Sequence, residues 1–393
     1  MKLSIVALMA TASLVPVAAL AQTAQDGGAE QASSDIVVTA QRYEQRSQDV
    51  PISISAIGSK ELAGRGQTDM KELEYSVPGL STFEYGIGQT FIQLRGVANT
   101  IGASTVGIYF DETPVGLDVQ GDPFAVRLLD MERVEVLRGP QATLYGQGSM
   151  GGTIRYIPAA PRLDAVAGSL EAEYSTTRQG GDNVKAIGVI NLPLSRDKLG
   201  LRLVGGYERV GGYIDNVISG EKNVNYADVY TARATLLATP TERLSLSLLG
   251  LYQRSRQNNK DFGIGYETAA VVPIPIRDRY TLIQAKASQD LDFAEFMASA
   301  SYIDRKYSDS SDLSSFYVPV LISALGLPPG FIDRVGYPLS TAYKIFNTEV
   351  RLSSQGEGPL AWQVGATYRD LKSESGATTY MSPGTIPVTL LDF

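Results

Sequence analysis

Residues 132–158 read ERVEVLRGPQATLYGQGSMGGTIRYIP, and this stretch decides the fold of the chain. It starts with alternating polar and apolar residues, which predict a strand, and it turns at Arg138-Gly139-Pro140. It leaves on a β-branched run from Thr153 to Ile157, which predicts a second strand. Between the strands, four glycines fall within the seven residues 146–152. Because glycine adopts left-handed backbone without a Cβ clash, this spacing predicts a tight and closely packed turn.

The order of motifs in this stretch resembles the plug domain of TonB-dependent outer-membrane receptors. The family pattern runs Glu-Arg-hydrophobic-Glu, then Arg-Gly-Pro, Leu-Tyr-Gly and Gly-Gly-x-Ile. The residues that carry the resemblance are Glu132, Arg133, Glu135, Arg138, Gly139, Pro140, Gly146, Gly148, Gly151 and Gly152. Upstream, Leu94-Arg95-Gly96 and Asp111-x-x-Pro114-Val115 also follow the family's plug.

The resemblance implies a role for Arg95 and Arg138. In the family, the matching arginines face acidic residues of the barrel wall and help to lock the plug. A guanidinium in a partly dry site needs a carboxylate, and a two-point pair fixes its geometry. We expect the partners to be Glu132, Glu135 or barrel acids that lie beyond this sequence. An ordinary ion pair within the plug is the alternative.

The glycines also match a second pattern, the dinucleotide fingerprint GxGxxG at Gly146, Gly148 and Gly151. That fingerprint requires a helix to begin directly after it. Here Gly152 and the strand-forming run TIRYI follow, so the context disfavours a nucleotide site. A glycine-rich turn in some other β protein remains open.

Composition bounds the class of protein. At 393 residues the chain exceeds one average domain, which predicts two units. It contains neither Cys nor His, which excludes disulfides, thiolate metal sites and Ser-His catalysis within these residues. We therefore expect no enzyme, no resident metal and no cofactor. The net charge of −8 argues against nucleic acid as a partner.

The hydropathy pattern is typical of a membrane β-barrel. Mean hydropathy is −0.04, and no apolar run long enough for a membrane helix follows the N-terminus. Barrel strands give such dispersed hydropathy because residues facing lipid alternate with polar residues facing the lumen.

The N-terminus reads as an export signal followed by a flexible segment. Residues 1–21 contain Lys2, an apolar run and Ala19-Leu20-Ala21, a small-residue cleavage site, which predicts a cleaved signal peptide. We expect residues 22–48 to be flexible, since 22–34 are small and polar.

A β-branched run within that segment resembles the family's TonB box, which the energy-transducing inner-membrane protein TonB, with its motor complex, grips from the periplasm. Its residues are Asp35, Ile36, Val37, Val38, Thr39 and Ala40. Such a run can pair with another protein's sheet edge.

Residues 49–161 are the predicted plug, an α+β domain. A strand at Val50 to Ile54 precedes a short helical stretch from Ser59 to Leu73. Three connections, at 83–89, 97–105 and 115–123, should form the apices that face the outside. The candidate ligand contacts are Tyr85, Asn99 and Arg127; solvated loop residues are the alternative.

Residues 162–393 alternate with a period of two, with charges on one face only, which predicts antiparallel barrel strands. Short turns alternate with long stretches, as in outer-membrane barrels. About nine strands are expected. Because barrels of this kind have about 22 strands, the chain resembles the N-terminal part of a longer receptor. The tyrosines expected to form an aromatic girdle near the outer ends are Tyr174, Tyr207, Tyr252, Tyr302 and Tyr368.

The fold predicted is thus mainly β, a plug inside a transmembrane barrel that is incomplete in this chain. The resemblance implies a bacterial outer-membrane receptor that imports a scarce ligand, most often a ferric siderophore, with iron only as cargo. Outer-membrane lipid and TonB would be its other partners. The alternatives are uptake of cobalamin, oligosaccharide or an aromatic compound, or a binding or pore protein that needs no energy.

Overall fold

The computed structural model describes residues 37–39, 42–43, 45–84, 86–87, 90–98, 104–116, 125–146, 148–261, 263–355 and 360–382. The predicted signal peptide and the polar segment 22–34 lie outside these residues. So do Asp35, Ile36 and Ala40 of the predicted box and two candidate ligand contacts, Tyr85 and Asn99.

The first part of the chain forms a five-stranded sheet and two small hairpins. Its strands are β1 (Val37–Val38), β2 (Gln45–Arg46), β3 (Ser53–Gly58), β4 (Leu80–Glu84), β5 (Thr90–Leu94), β6 (Val106–Phe110), β7 (Thr113–Pro114), β8 (Met131–Arg138) and β9 (Gly152–Pro158). The sheet has the order β3-β8-β9-β6-β7. The predicted strands on either side of the glycine stretch are thus β8 and β9, which pair with each other antiparallel at the centre of the sheet.

Short helices connect these strands. The α-helices are α1 (Ser59–Gly64) and α2 (Ala142–Tyr145), and 3-10 helices span Ser47–Asp49 and Lys71–Tyr75. The helical stretch predicted for 59–73 is therefore broken between Gly64 and Lys71, as its glycines suggest.

The plug core lies between this sheet and the helices. Val134, Val136, Ile154 and Tyr156 of the central strands are fully buried. They pack in one cluster with side chains of the surrounding wall, including Tyr280. Burial on both faces explains why β9 reads as an almost continuous apolar and β-branched run.

The rest of the chain forms one wide antiparallel sheet. Its elements are β10 (Ala167–Thr176), β11 (Asp182–Ser195), β12 (Leu199–Val210), β13 (Asp215–Asn216), β14 (Ala227–Thr241), β15 (Leu244–Gln257), β16 (Glu267–Thr268), β17 (Ile276–Asp290), β18 (Ala294–Asp312), α3 (Ser314–Leu325), β19 (Arg334–Ser354), β20 (Gln363–Ala377) and β21 (Tyr380–Ser382). Nine strands follow the order β10-β11-β12-β14-β15-β17-β18-β19-β20, and β21 pairs with β19. The mainly β fold with an open part-barrel is confirmed.

The connections alternate in length as expected. Inner turns are short: residues 196–198 join β11 to β12, and 242–243 join β14 to β15. Three outer connections are long, 211–226, 258–275 and 313–333, whereas the first, 177–181, is a short turn. Strand β13 lies in connection 211–226 and pairs in parallel with β16 of connection 258–275. Connection 313–333 contains α3. No helix of the described residues has the length and apolar character needed to cross a membrane.

The two faces of this sheet differ. Leu248, Tyr252, Tyr302 and Tyr368 lie on the exposed face, and the opposite face contacts the plug. Tyr174 is exposed as well, whereas Tyr207 is half-buried against Tyr230 of the next strand, with ring centroids 5.0 Å apart. Tyr174, Tyr207 and Tyr252 lie towards the outer ends of their strands. The predicted outer-end position is wrong for the other two: Tyr302 lies at the middle of β18 and Tyr368 nearer the inner end of β20, because both strands extend well beyond these tyrosines on the outer side.

The expectation that charges occupy one face only is wrong at these outer ends. Beyond Tyr252, the exposed face carries Arg254 and Arg256, and the neighbouring strand carries Arg277 and Arg279. The rule against charge applies to the depth of the hydrocarbon, and these residues lie beyond the tyrosines.

Candidate functional site

The described residues of the predicted box, Val37, Val38 and Thr39, are docked on the plug. Strand β1 pairs antiparallel with β2, so that Val37 lies opposite Arg46 and Val38 opposite Gln45. Val38 is fully buried in a cluster that includes Tyr109 and Tyr145, while Val37 is 45% exposed. Over its described residues, the segment expected to be flexible is therefore folded in this state, because Val38 fills an apolar pocket.

Thr39, next in the chain, is held by two buried charges. Its backbone N–H donates to Glu135 Oε1 at 2.8 Å. Arg155 donates through one guanidinium nitrogen to the Thr39 carbonyl at 2.7 Å and to its hydroxyl at 2.6 Å. Arg155 and Glu135 also pair with each other at 2.9 Å, with 1% and 0% of their side chains exposed. Hydrogen bonds to ionised groups are about twice as strong as neutral ones, so these contacts fix the segment.

The same ion network continues to Arg42, just after the box. Glu112 accepts from Arg155 at 3.1 Å through one carboxylate oxygen and from Arg42 at 2.5 Å through the other. The Arg42 guanidinium also lies 4.2 Å from the centroid of the Tyr145 ring. Burial alone would raise the pKa of Glu112, but Arg42, Arg155 and Arg351 together hold it well below its usual range.

The network then reaches the wall of the barrel. Arg351 of β19 lies 3.5 Å from Glu112 and 2.8 Å from its own neighbour Glu349. Arg42 approaches Glu349 at 3.9 Å. A polar cavity of about 720 Å³ lies beside these groups, between the plug and strands β18 to β20. One connected set of charges therefore joins the N-terminal segment, the plug sheet and the wall.

Two aspartates anchor the plug to the wall at other points. Asp130, directly before β8, accepts from Arg202 at 2.6 and 2.7 Å and from Arg233 at 2.9 Å. Asp111, after β6, accepts from Lys286. Both aspartates have φ of +52°, a left-handed conformation that Asp tolerates better than most residues. The turn geometry thus aims each carboxylate outward from the sheet ends.

Arg127, the one candidate ligand contact among the described residues, is buried and paired. Its guanidinium lies 3.0 Å from Asp69 of the plug and 3.3 Å from Glu208 of the wall. Its backbone N–H donates to Gln253 at 3.2 Å. Burial would lower the pKa of Arg127, but the two carboxylates raise it, so the side chain stays charged. It holds the outer side of the plug against the wall.

Two acids near Arg127 are less easily ionised. Burial raises the pKa of Glu72, and the charge of Asp69 adds to this effect. Burial also raises the pKa of Glu84, which lies 3.6 Å from Lys71. The outer end of the plug therefore contains carboxylates that take up a proton more readily than a free side chain does.

The expected partners of Arg95 and Arg138 are engaged elsewhere. Glu132 pairs with Arg133, and Glu135 pairs with Arg133 and Arg155. Arg138 instead donates to the Pro78 carbonyl at 3.5 Å. Neither Arg95 nor Arg138 forms an ion pair with a carboxylate of the described residues. The prediction of Glu132 or Glu135 as partner is wrong because both carboxylates are already paired with arginines of the central strands, and Glu132 lies six residues from Arg138, about 20 Å along an extended strand.

The glycine stretch serves close packing. A Cβ at Gly152, whose φ is +151°, would lie 2.2 Å from the Leu137 carbonyl oxygen. A Cβ at Gly151 would lie 3.1 Å from Val97, next to Gly96. Gly139, Gly146 and Gly148 all have positive φ, and Pro140 precedes α2. Strand β9 and no helix follows the glycines, so the dinucleotide reading fails.

Sequence reasoning missed Arg42, Glu112 and Arg155. The only signal was the placement of charges inside otherwise apolar strands and turns, as in TIRYI. Charged residues are almost never fully buried unless they are paired, so an Arg at the centre of a core strand predicts a buried acid. The sequence cannot say which acid that is.

Comparison with known proteins gives a family match for the plug part of the chain and relatives that match longer stretches. Residues 46–153 match the family model of the TonB-dependent Receptor Plug Domain. The chain is 31% identical over 249 residues to the iron-regulated outer membrane virulence protein of Vibrio cholerae serotype O1, covering 60% of this chain and 36% of that protein. It is 35% identical over 153 residues to the pesticin receptor of Yersinia pestis, covering 38% of this chain and 21% of the receptor. The chain thus spans about a third or less of the length of these relatives.

Among solved structures, the chain is similar to the ferric yersiniabactin uptake receptor from Yersinia pestis. The TM-score is 0.71 at 18% sequence identity, and the match covers 86% of this chain and 50% of that receptor. At this identity the similarity establishes the fold, a plug within a barrel.

Proposed function

We propose that this chain, which carries the plug of a TonB-dependent receptor and part of its outer-membrane barrel, serves the energy-dependent uptake of a scarce ligand, and that the ligand is a ferric siderophore. The protein is located in the bacterial outer membrane. The relatives named above include an iron-regulated outer membrane protein and a ferric yersiniabactin uptake receptor, which supports iron as the cargo.

The observation that carries the proposal is the docking of residues 37–39 and of Arg42 on the buried network. Val37 is partly exposed, while Thr39 and Arg42 are bound to the charges that also hold the plug to the wall. A partner that paired with the β-branched run by strand addition would compete with β2 for the same backbone groups. Pulling on that run would load Glu135, Arg155 and Glu112.

The coupling we propose is a change between docked and released states of this segment. Ligand binding outside shifts the population in which residues 35–40 are available to TonB and its motor complex. The motor then pulls on the plug, and the ligand passes into the periplasm. No covalent chemistry is required of the receptor.

Ligand recognition would lie at the outer ends of the plug and in the long outer connections. Tyr85 and Asn99 remain our candidate contacts. Arg127 would contribute only if its pairing with Asp69 and Glu208 opens, because all three groups are engaged with one another. Its ion pairs with Asp69 of the plug and Glu208 of the wall make Arg127 a positioning residue for this surface.

The test uses the complete receptor gene in deletion cells supplied with labelled ferric siderophores. The Val37→Pro variant removes a backbone N–H from the box and fixes its φ, while Val37→Thr keeps the β-branched shape. We expect the wild type and Val37→Thr to restore iron uptake. Val37→Pro should bind ligand and reach the outer membrane but fail to import.

Two results would contradict parts of the proposal separately. Uptake that persists in the Val37→Pro variant would show a barrel that works without TonB. If neither the wild type nor Val37→Thr takes up iron while the protein is present in the outer membrane, the assignment of a ferric siderophore as ligand fails. Cobalamin, oligosaccharides and aromatic compounds would then be tested with the same pair of variants.

A further inference from the structure

The exposed face of the barrel wall carries a group of cations that the uptake mechanism does not use. They lie on three adjacent strands, β15, β17 and β18, and we call them the outer cation cluster: Arg254, Arg256, Arg277, Arg279 and Lys306. Four of them are exposed and Arg254 is half-buried. Their side chains point away from the plug, on the same face as Tyr252 and Tyr302.

The register places like charges directly opposite one another. Arg254 lies opposite Arg279, and Arg279 lies opposite Lys306, so three cations stand in one row across three strands. Arg256 lies opposite Arg277 one step further out. With strands about 4.8 Å apart, the row of three spans about 10 Å. Like charges at opposed positions destabilise a sheet unless an anion lies between them.

Acids lie near the cluster, since Asp228 is opposite Arg256 and Glu374 borders the same depression, but no described acid is paired with these cations. None of the five cations forms an ion pair or hydrogen bond with another described side chain, in contrast to the lumen-facing arginines described above. The acids on the same face include Asp228, Asp304, Asp370 and Glu374. Asp228 already accepts from the Tyr207 hydroxyl at 2.8 Å.

The surroundings of the cluster indicate a lipid. The cations border a shallow depression of about 650 Å³ on the outer surface. Closer to the membrane centre, an apolar depression of about 840 Å³ is lined by Leu203, Tyr252 and Ile283. Tyr252 precedes Arg254 by two residues and lines the apolar depression, so the two surfaces are continuous along the wall. Tyrosines mark the depth where acyl chains give way to headgroups.

We propose that the outer cation cluster binds the phosphorylated headgroup of an outer-leaflet lipid, whose acyl chains lie in the apolar depression below it. Arg254, Arg279 and Lys306 neutralise the phosphate groups, since Arg binds phosphate in two-point geometry and Lys binds it as a point charge. The site is distinct from the proposed siderophore route, because its side chains face away from the lumen.

The test compares two variants of the complete receptor that lose the same number of charges. Variant one is Arg254→Gln, Arg279→Gln and Lys306→Gln. The control is Arg196→Gln, Lys198→Gln and Arg243→Gln, exposed cations at or beside the inner turns. Both are purified and placed in phosphatidylcholine vesicles with or without diphosphorylated lipid A. Lipid retained through detergent extraction is measured by native mass spectrometry.

We expect the wild type and the control to retain lipid A, and variant one to retain roughly 100-fold less, since each cation near a charged membrane surface contributes about 1 kcal/mol. Heat-dependent gel mobility shows whether the barrel of variant one is folded. Equal retention by all three proteins would overturn the proposal. So would displacement of the lipid by soluble inorganic phosphate, which would show a site for free anions. Ferric uptake by variant one is measured as well, and it tests only the proposed uptake function. The lipid proposal is judged from lipid retention alone, which a failure of transport does not change.

Discussion

Lys286 of the barrel wall donates to both carboxylate oxygens of Asp111, at 2.9 and 2.7 Å, across the junction between wall and plug. The two residues are 175 positions apart in the chain. Asp111 reaches this position from a turn with φ of +52°. Asp111 therefore forms both the left-handed turn after β6 and the ion pair that joins the plug to the wall.

Replacement of Asp111 by Asn should loosen the plug. It leaves the Lys286 ammonium in a site where only 29% of the side chain is exposed, without a full countercharge. We expect a loss of about 2 kcal/mol in plug stability, below the range for fully buried pairs. Urea unfolding with a fluorophore on the plug measures it. Asp164→Asn breaks the exposed pair with Arg162 and should change nothing measurable. A loss of similar size in both variants would contradict the assignment.

Replacement of Glu135 by Gln should release the N-terminal segment without any ligand. The carboxylate accepts from Thr39 N–H and from Arg155, and hydrogen bonds to charged groups contribute about 1.5–3 kcal/mol each. We expect the undocked fraction to rise by roughly thirtyfold, which corresponds to about 2 kcal/mol. Mobility of a spin label at Val37 would report this change.

The matched control for that experiment is Glu132→Gln. This residue lies on the same strand, is paired with Arg133 and is 53% exposed. It makes no contact with the segment among the described residues. If the label becomes equally mobile in both variants, Glu135 has no specific part in docking.

Acid should also undock the segment, and the sign follows from Glu112. Its pKa in the folded protein lies below the ordinary value of 4.5, because Arg42, Arg155 and Arg351 outweigh the effect of burial. The ionised carboxylate therefore stabilises docking at and above that value, and the contribution is lost as the pH falls through the folded pKa. Glu349 and Lys286 face the same group, so the titration is followed in wild type and Glu112→Gln. The variant should be mobile at neutral pH and show a weaker acid transition.

Gly152 should tolerate no side chain. A Cβ there meets a backbone oxygen at 2.2 Å and Leu94 at 2.4 Å, and the backbone oxygen has no freedom to move. We expect Gly152→Ala to cost about 3 kcal/mol of plug stability, from overpacking and the unfavourable φ. Gly146 has φ of +68° but open space around it, so Gly146→Ala should cost only about 1 kcal/mol of plug stability. Equal losses of plug stability in the two variants would show that the positive φ alone sets the cost, and not the contact with the Leu137 oxygen.

The sequence predicts most of the wall because barrel strands are locally encoded. Alternation at 244–252 fixes which residues face outward, and the turn lengths fix direction. The glycines of 146–152 predict a close approach of backbones, which the contacts of Gly152 confirm.

The centre of the candidate site could not be predicted in this way. Arg42, Glu112, Glu135 and Arg155 come from four separate elements and meet only after the sheet has formed. Each alone reads as a solvated charge. The outer cation cluster was missed for a related reason, since opposed positions depend on register between strands and not on spacing within one.

The short pairing of β1 with β2 sets how the molecule responds to mechanical load. A pull on the chain before Val37 acts on two cross-strand residue pairs, which open one after the other. The load next reaches Thr39, and through Arg155 it reaches the middle strand of the plug sheet and not its edge. A weak force therefore suffices to free the hairpin, whereas a larger one is delivered to the strand on which the rest of the plug is assembled.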